Sequence, residues 1–147
     1  MFTHLLVPVD GTELSERAAQ CSLDLARRLG ARVTGFVAEP MAPLPTMSTN
    51  PAAYQRETEA HQARTEAHAR EVLHRFAAKA AEVGVAFDGK FQRTDGVDDA
   101  IVKAAAEFGC DLIVMVTHGR GAFGELLFGS HTKNVMSRCK TPLLVLH

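Results

Sequence analysis

Charge of one sign, long apolar runs and paired cysteines are all missing from this chain. Lys and Arg number 16 against 17 Asp and Glu, a formal net charge of -1, and the sequence pI is near 6.6. A general electrostatic attraction to nucleic acid or anionic lipid is therefore not expected. No apolar stretch approaches the roughly 20 residues that a membrane-spanning helix needs. The opening "MFTHLLVPVD" has neither a basic start nor a small-residue cleavage site, so no secretory leader is expected. The three cysteines, Cys21, Cys110 and Cys139, are odd in number, scattered and without a CxxC pair. That usage fits free thiols in a reducing compartment and points to a cytoplasmic protein.

What is present is an ordinary globular composition, 46% apolar and 22% charged over 147 residues, which suits one domain over residues 1–147. "HLLVPV" reads as a strand. In "ELSERAAQCSLDLARRLGA", steps of three and four join Leu14, Ala18, Cys21, Leu25 and Leu29 into one helical face. Arg27 and Arg28 suit the helix C-terminus, and Gly30 a left-handed cap. "RVTGFVA" is a second strand. "EPMAPLPTMSTNPAAY" carries Pro40, Pro43, Pro45 and Pro51 and reads as a long loop. From about Pro51 to Gly84 a helical stripe runs through Ala63, Ala67, Leu73, Phe76, Ala80 and Val83. "VAFDGKFQ" alternates as a half-exposed edge strand does. "GVDDAIVKAAAEFG" is a helix on Val97, Ile101, Ala104 and Phe108, with Asp98 and Asp99 favourable near its N-terminus. "DLIVMV" is apolar on both faces, as a central parallel strand should be. A short helix from about Gly129 to Cys139 and a last strand, "LLVLH", after Pro142 complete the order βαβαβαβαβ. Such alternation predicts a parallel sheet with helices on both faces.

In open sheets of this kind, ligands bind outside the carboxyl ends of the strands, where the strand order reverses. Asp10, ending "LVPVD", and the stretch "THGRGAFGELLFGSHT" after the fourth strand are thus expected to face one crevice. Gly119, Gly121 and Gly124 spell GxGxxG, but the strand that follows ends at His147 with no acid for a ribose, and no GK[ST] occurs. The dinucleotide fingerprint and the Walker loop are both rejected. Gly129-Ser130 opening a helix is the stronger element, because a helix N-terminus offers unpaired N–H groups to a phosphate. Thr132 adds a hydroxyl, Gly119 allows close backbone approach, and Arg120 can pair with a phosphate oxygen. On the residues alone, the same features also read as turn glycines with Ser130 as an N-cap.

Over nearly its whole length the chain resembles the universal stress protein family. Nucleotide-binding members carry G-x-x-G, nine residues, then G-[S/T]. Here Gly119, "RGAFGELLF" and Gly129-Ser130 match all but the first glycine, whose place is taken by Val116. "LVPVDGTELSERA", "DLIVMVTHGRG" and "TPLLVLH" resemble the family's opening, fourth and closing strands. The resemblance implies an open, Rossmann-like five-stranded parallel sheet in the order 3-2-1-4-5 and an ATP site. Adenosine contacts would fall on Pro8, Val9, Asp10 and Val37, and phosphate contacts on His118, Gly119, Arg120, Gly129, Ser130, His131 and Thr132. Mg²⁺ or Mn²⁺ would accompany the triphosphate. It also implies a homodimer through the closing strand, Leu143, Leu144, Val145 and Leu146, whose apolar edge needs cover, and a role in survival under stress.

No nucleophile and base can be paired from spacing: Ser130 and His131 are neighbours, and neighbours on a helix point about 100° apart. An enzyme is therefore not expected, a slow ATP hydrolase or a nucleotide-independent interaction module being the alternatives. His61 and His68 share a helix face, with His74 nearly two turns beyond. The spacing lacks the i, i+4 pairing of a helical zinc site and suits a solvated face. Met41 and Met47 either pack over an adenine or cover a loop.

Overall fold

The structure is a computed structural model and describes residues 1–117 and 130–147. Among these residues β1 (His4–Pro8), α1 (Glu13–Leu29), β2 (Arg32–Glu39), α2 (Pro51–Glu82), β3 (Phe87–Arg93), α3 (Val97–Glu107), β4 (Leu112–Val116), α4 (Ser130–Arg138) and β5 (Leu143–Leu146) alternate along the chain. The five strands form one sheet in the order β3-β2-β1-β4-β5, and every neighbouring pair is parallel. This is the architecture expected from the alternation and the resemblance.

Strand alternation divides the core in two. Leu5, Val7, Val33, Val37 and Val114 point to the layer that includes α1 and α2. Leu6, Phe36, Ile113 and Met115 point to α3 and α4. β1 pairs with β2 on one side and β4 on the other, so the winding of the chain reverses between β1 and β4. Their carboxyl ends open the crevice at that point.

The helices seat differently from the apolar stripes read above. α1 buries Ser15, Ala18, Ala19, Ser22, Leu23 and Ala26, while Cys21 is exposed and Leu29 is 37% exposed. Small side chains let the helix approach the sheet closely, and the Ser22 hydroxyl is satisfied by donating to the Ala18 carbonyl at 2.7 Å. Thr12 caps its start and Gly30, at φ 66°, its end. α2 starts on Pro51 with Asn50 as its cap, accepting from the Ala52 and Ala53 N–H groups. Its buried residues are Thr65, Ala69, Val72, Phe76 and Ala80, a face rotated away from Ala63 and Ala67, which are exposed.

Candidate functional site

At the end of β1 the chain turns sharply into α1. Asp10 Oδ1 accepts from the Thr12 N–H at 3.0 Å and from the Thr12 hydroxyl at 2.7 Å, and Thr12 Oγ1 accepts from the Ser15 N–H at 3.2 Å. Gly11, between them, has φ 83°. A Cβ there would lie 2.8 Å from Val72 Cγ2 and 3.2 Å from His68 Nε2. The turn is therefore closed down on α2, and only glycine fits it.

Beside this turn lies a cavity of about 150 Å³. Phe36 and Ala38 of β2, Val97 and Ile101 of α3, and Met115 and Val116 of β4 make its apolar part. Pro8, Val9, Asp10, Thr12 and Ser15 border it from β1 and α1, and His131 and Thr132 from the first turn of α4. Apolar walls with a few convergent polar groups, at the switch point of a parallel sheet, are the features of a small-molecule site.

The structure brings Pro8, Val9, Asp10, His131 and Thr132 together around one cavity. Ser130 opens α4 and is exposed. His118, Gly119, Arg120 and Gly129 lie outside the described residues. The side chain of Val37 is 1% exposed and packs in the α1–α2 core, so that only its backbone could meet a ligand on the other side. Alternate strand residues face opposite sides, so its neighbours Phe36 and Ala38 supply the walls. Strand parity carried that signal, since Phe36 and Ala38 share a face, but a strand apolar on both sides does not say which face is which. Val116 ends β4 opposite Leu146, a strand position that valine suits. Met41 and Met47, 49% and 108% exposed, are not among the residues lining the cavity.

The far rim is held by pairs between α3 and α4. His131 Nδ1 lies 2.6 Å from Asp98 Oδ1, and Asn134 Nδ2 donates to Asp98 Oδ2 at 2.7 Å. Arg138 Nη1 donates to Asp99 Oδ1 at 2.7 Å. On α2 the histidines keep a solvated side, His68 being 49% exposed, but two of them are also paired. His61 Nε2 is 3.0 Å from the Pro40 carbonyl, and His68 Nδ1 is 2.5 Å from Glu39 Oε1, a carboxylate 8% exposed. Both histidines thus grip the end of β2. His74 is exposed.

Shifted ionisations lie at the opposite, amino end of the sheet. Burial, helped by Arg32, lowers the His4 pKa against the Gly109 backbone, Asp111 and Asp88. Burial raises the Cys110 thiol to about 11, so that it stays protonated at neutral pH. Asp111 is held below the usual carboxylate range: burial opposes this, but N–H groups of His4 and Thr3 and the Thr3 hydroxyl outweigh it.

A family model described as the universal stress protein family matches residues 1–147. A universal stress protein of Thermus aquaticus is 31% identical, aligned over 99% of this chain and 98% of its own. A solved universal stress protein family member from Burkholderia pseudomallei has a TM-score of 0.74 and 25% identity, covering 99% of this chain and 96% of that one. The universal stress protein from Archaeoglobus fulgidus, solved in complex with dAMP, has a TM-score of 0.62 and 19% identity over 100% and 98% of the two chains. At that identity the likeness is one of fold.

Proposed function

The chain belongs to the universal stress protein family, and on that premise we propose that it binds ATP in the cavity at the carboxyl ends of β1 and β4. One observation carries the reading: an apolar cavity bordered on one side by the Asp10 turn and on the other by the first turn of α4. A nucleotide divides its chemistry in the same way, into a flat base, ribose hydroxyls and anionic phosphates. Phe36, Ala38 and Ile101 offer apolar surface to the base. Asp10 offers a carboxylate to the ribose. The N–H groups that open α4 at Ser130 and Thr132 offer partners to the phosphates, completed by His118, Gly119, Arg120 and Gly129. The relative solved with dAMP supports an adenine nucleotide.

Mg²⁺ or Mn²⁺ would travel on the triphosphate. Mg²⁺ keeps most of its waters and needs few protein ligands beside substrate phosphates. Among the described residues no cluster of three or more His, Cys, Asp or Glu offers a cage of its own. We further propose that the protein acts in the cytoplasm, in the stress response, through nucleotide-dependent shape and partners. In this reading it works as a homodimer paired along Leu143, Leu144, Val145 and Leu146. The described residues contain no helix long and apolar enough to cross a membrane.

Calorimetry with Mg-ATP tests the site. Wild type is expected to bind, Asp10→Ala to weaken binding about tenfold through a lost hydrogen bond to a charged group, and Gly129→Asp to abolish it by placing an anion where phosphate should sit. Wild type without detectable binding at millimolar ATP, or Gly129→Asp with unchanged affinity, overturns the reading. Bound ATP that stays intact supports a binding protein, and multiple turnovers lost in Asp10→Ala would make it a hydrolase.

A further inference from the structure

We propose that Asp98 is a positioning residue for the nucleotide's phosphates: by holding a proton on His131 Nδ1 it leaves Nε2 a donor only in the charged ring, and so makes nucleotide binding tighten on acidification. The inference rests on the nucleotide reading of the cavity and goes beyond it, to a residue outside the lining and to a dependence on pH.

The geometry is specific. Asp98 stands in the first turn of α3, and both of its oxygens are engaged by α4, Oδ1 by His131 and Oδ2 by Asn134. Residues three apart share a helix face, so His131 and Asn134 present one edge of α4 to one carboxylate. Asp98 is also the less exposed partner, 17% against 63% for His131. The carboxylate can only accept, so Nδ1 must carry the proton. That assignment decides what the opposite nitrogen offers. In the neutral ring Nε2 then presents a lone pair, which repels a phosphate oxygen. In the imidazolium it presents an N–H, which a phosphate accepts. His131 borders the cavity and lies in the first turn of α4, where the unpaired N–H groups already favour an anion.

Other charged groups stand on the neighbouring elements. From α3, Asp99 is engaged by Arg138 of α4. On α4 itself Lys133 is two residues away. Across the cavity, at the end of β1, stands Asp10. Of these carboxylates Asp98 is the one hydrogen-bonded to the ring, at 2.6 Å. It therefore sets which nitrogen keeps the proton in the neutral ring.

The test is ATP binding by calorimetry from pH 5.5 to 8.5 at constant ionic strength, for wild type, His131→Gln, Asp98→Asn and Asp98→Ala. ATP titrates its own phosphate in this range, and His131→Gln carries that background, so the wild-type to His131→Gln ratio isolates the imidazole. At the acid end wild type is expected to bind about threefold to fivefold tighter, the range an exposed charge pair supports. The excess should vanish at the alkaline end. Asp98→Asn has an amide that can either accept from Nδ1 or donate to it, so it no longer fixes the tautomer and should flatten the excess with pH. Asp98→Ala should remove most of it. Adenosine, which has no phosphate, should bind wild type and His131→Gln alike. A merely structural Asp98 would lower affinity evenly across the range. A wild-type to His131→Gln ratio that is flat with pH, or an Asp98→Asn profile as steep as that of wild type, overturns the inference alone. Wild type that binds no ATP at any pH overturns the nucleotide reading and this inference together.

Discussion

Replacing Gly11 by alanine should destabilise the protein far more than the same change at another glycine of similar backbone conformation. Gly11 has φ 83° and Gly30 has φ 66°, so an L-residue at either pays the left-handed cost of about 1–2 kcal/mol. At Gly30 no atom lies within 4 Å of the added Cβ, and the cost ends there. At Gly11 the Cβ would stand 2.8 Å from Val72 Cγ2. Val72 is 6% exposed, on the buried face of α2. Over-packing of this kind adds about 1–3 kcal/mol, giving a total of about 2–5 kcal/mol for Gly11→Ala. That is a large share of a typical domain's about 5–15 kcal/mol. Urea unfolding of wild type, Gly11→Ala and Gly30→Ala measures the difference. The double variant Gly11→Ala/Val72→Ala then removes the obstructing methyl and should recover about 1 kcal/mol beyond additivity. Equal costs for the two glycines, or strictly additive behaviour in the double variant, would refute the steric reasoning and with it the close seating of the Asp10 turn on α2.

Three further outcomes are expected. The lowered His4 pKa means that, below about 6.5, the unfolded chain binds a proton that the folded chain resists. Stability should therefore fall as pH drops from neutral through that value, by no more than about 1.4 kcal/mol per pH unit from this group, and His4→Gln should flatten the slope in urea titrations at pH 5 and pH 7.5. Leu144 is 36% exposed on the edge strand β5, so Leu144→Lys with Leu146→Lys should give monomer or aggregate in sedimentation, while a wild type already monomeric at micromolar concentration would refute the dimer. Val116→Gly should cost about 1 kcal/mol of stability, because glycine in a strand loses packing and restricts the unfolded chain less, yet leave ATP affinity within tenfold. A glycine variant that turns a non-binder into a tight binder would show instead that Val116 closes the cavity.

How much of this was legible in the sequence depends on the range over which each signal acts. "DLIVMV", apolar on both faces, identified a central strand because burial on two sides is written into consecutive residues. The Gly30 cap of α1 was legible for the same local reason. Its buried face was not: Ser15 and Ser22 count as polar by type, and only the helix itself offers Ser22 the Ala18 carbonyl that makes its burial tolerable. That the Val37 side chain faces the α1–α2 layer was not legible, because periodicity fixes which strand residues agree but not which layer they face. His68 and Glu39 stand 29 residues apart, and His131 and Asp98 stand 33 apart. Nothing local marks such pairs, so the histidines of α2 read as solvated and Asp98 read only as a favourable charge at a helix start. Ile101 was visible in a helix stripe and Phe36 only as part of the second strand, and their place beside a cavity follows from the strand order, which lies between local pattern and full tertiary contact.

The two rims of the cavity belong to different layers of the fold. The Asp10 turn is braced through Gly11 against Val72 of α2, on the layer that also holds α1. The α4 rim is braced through Asp98 and Asp99 against α3, on the other face of the sheet. Between them the sheet contributes walls from β2 and β4. A ligand that touched only the apolar walls would bind without coupling the layers. A nucleotide reaching from Asp10 to Thr132 would stabilise whichever relative position of the layers matched its length, and only to the extent that it binds that position better than others. Its stabilisation of the folded chain would be about 2.7 kcal/mol at a free concentration 100 times Kd. Comparing ATP with adenosine at equal saturation separates the two cases. If the rims are coupled through the phosphates, ATP should protect amides of α4 and of the Asp10 turn together, whereas adenosine should protect the turn alone.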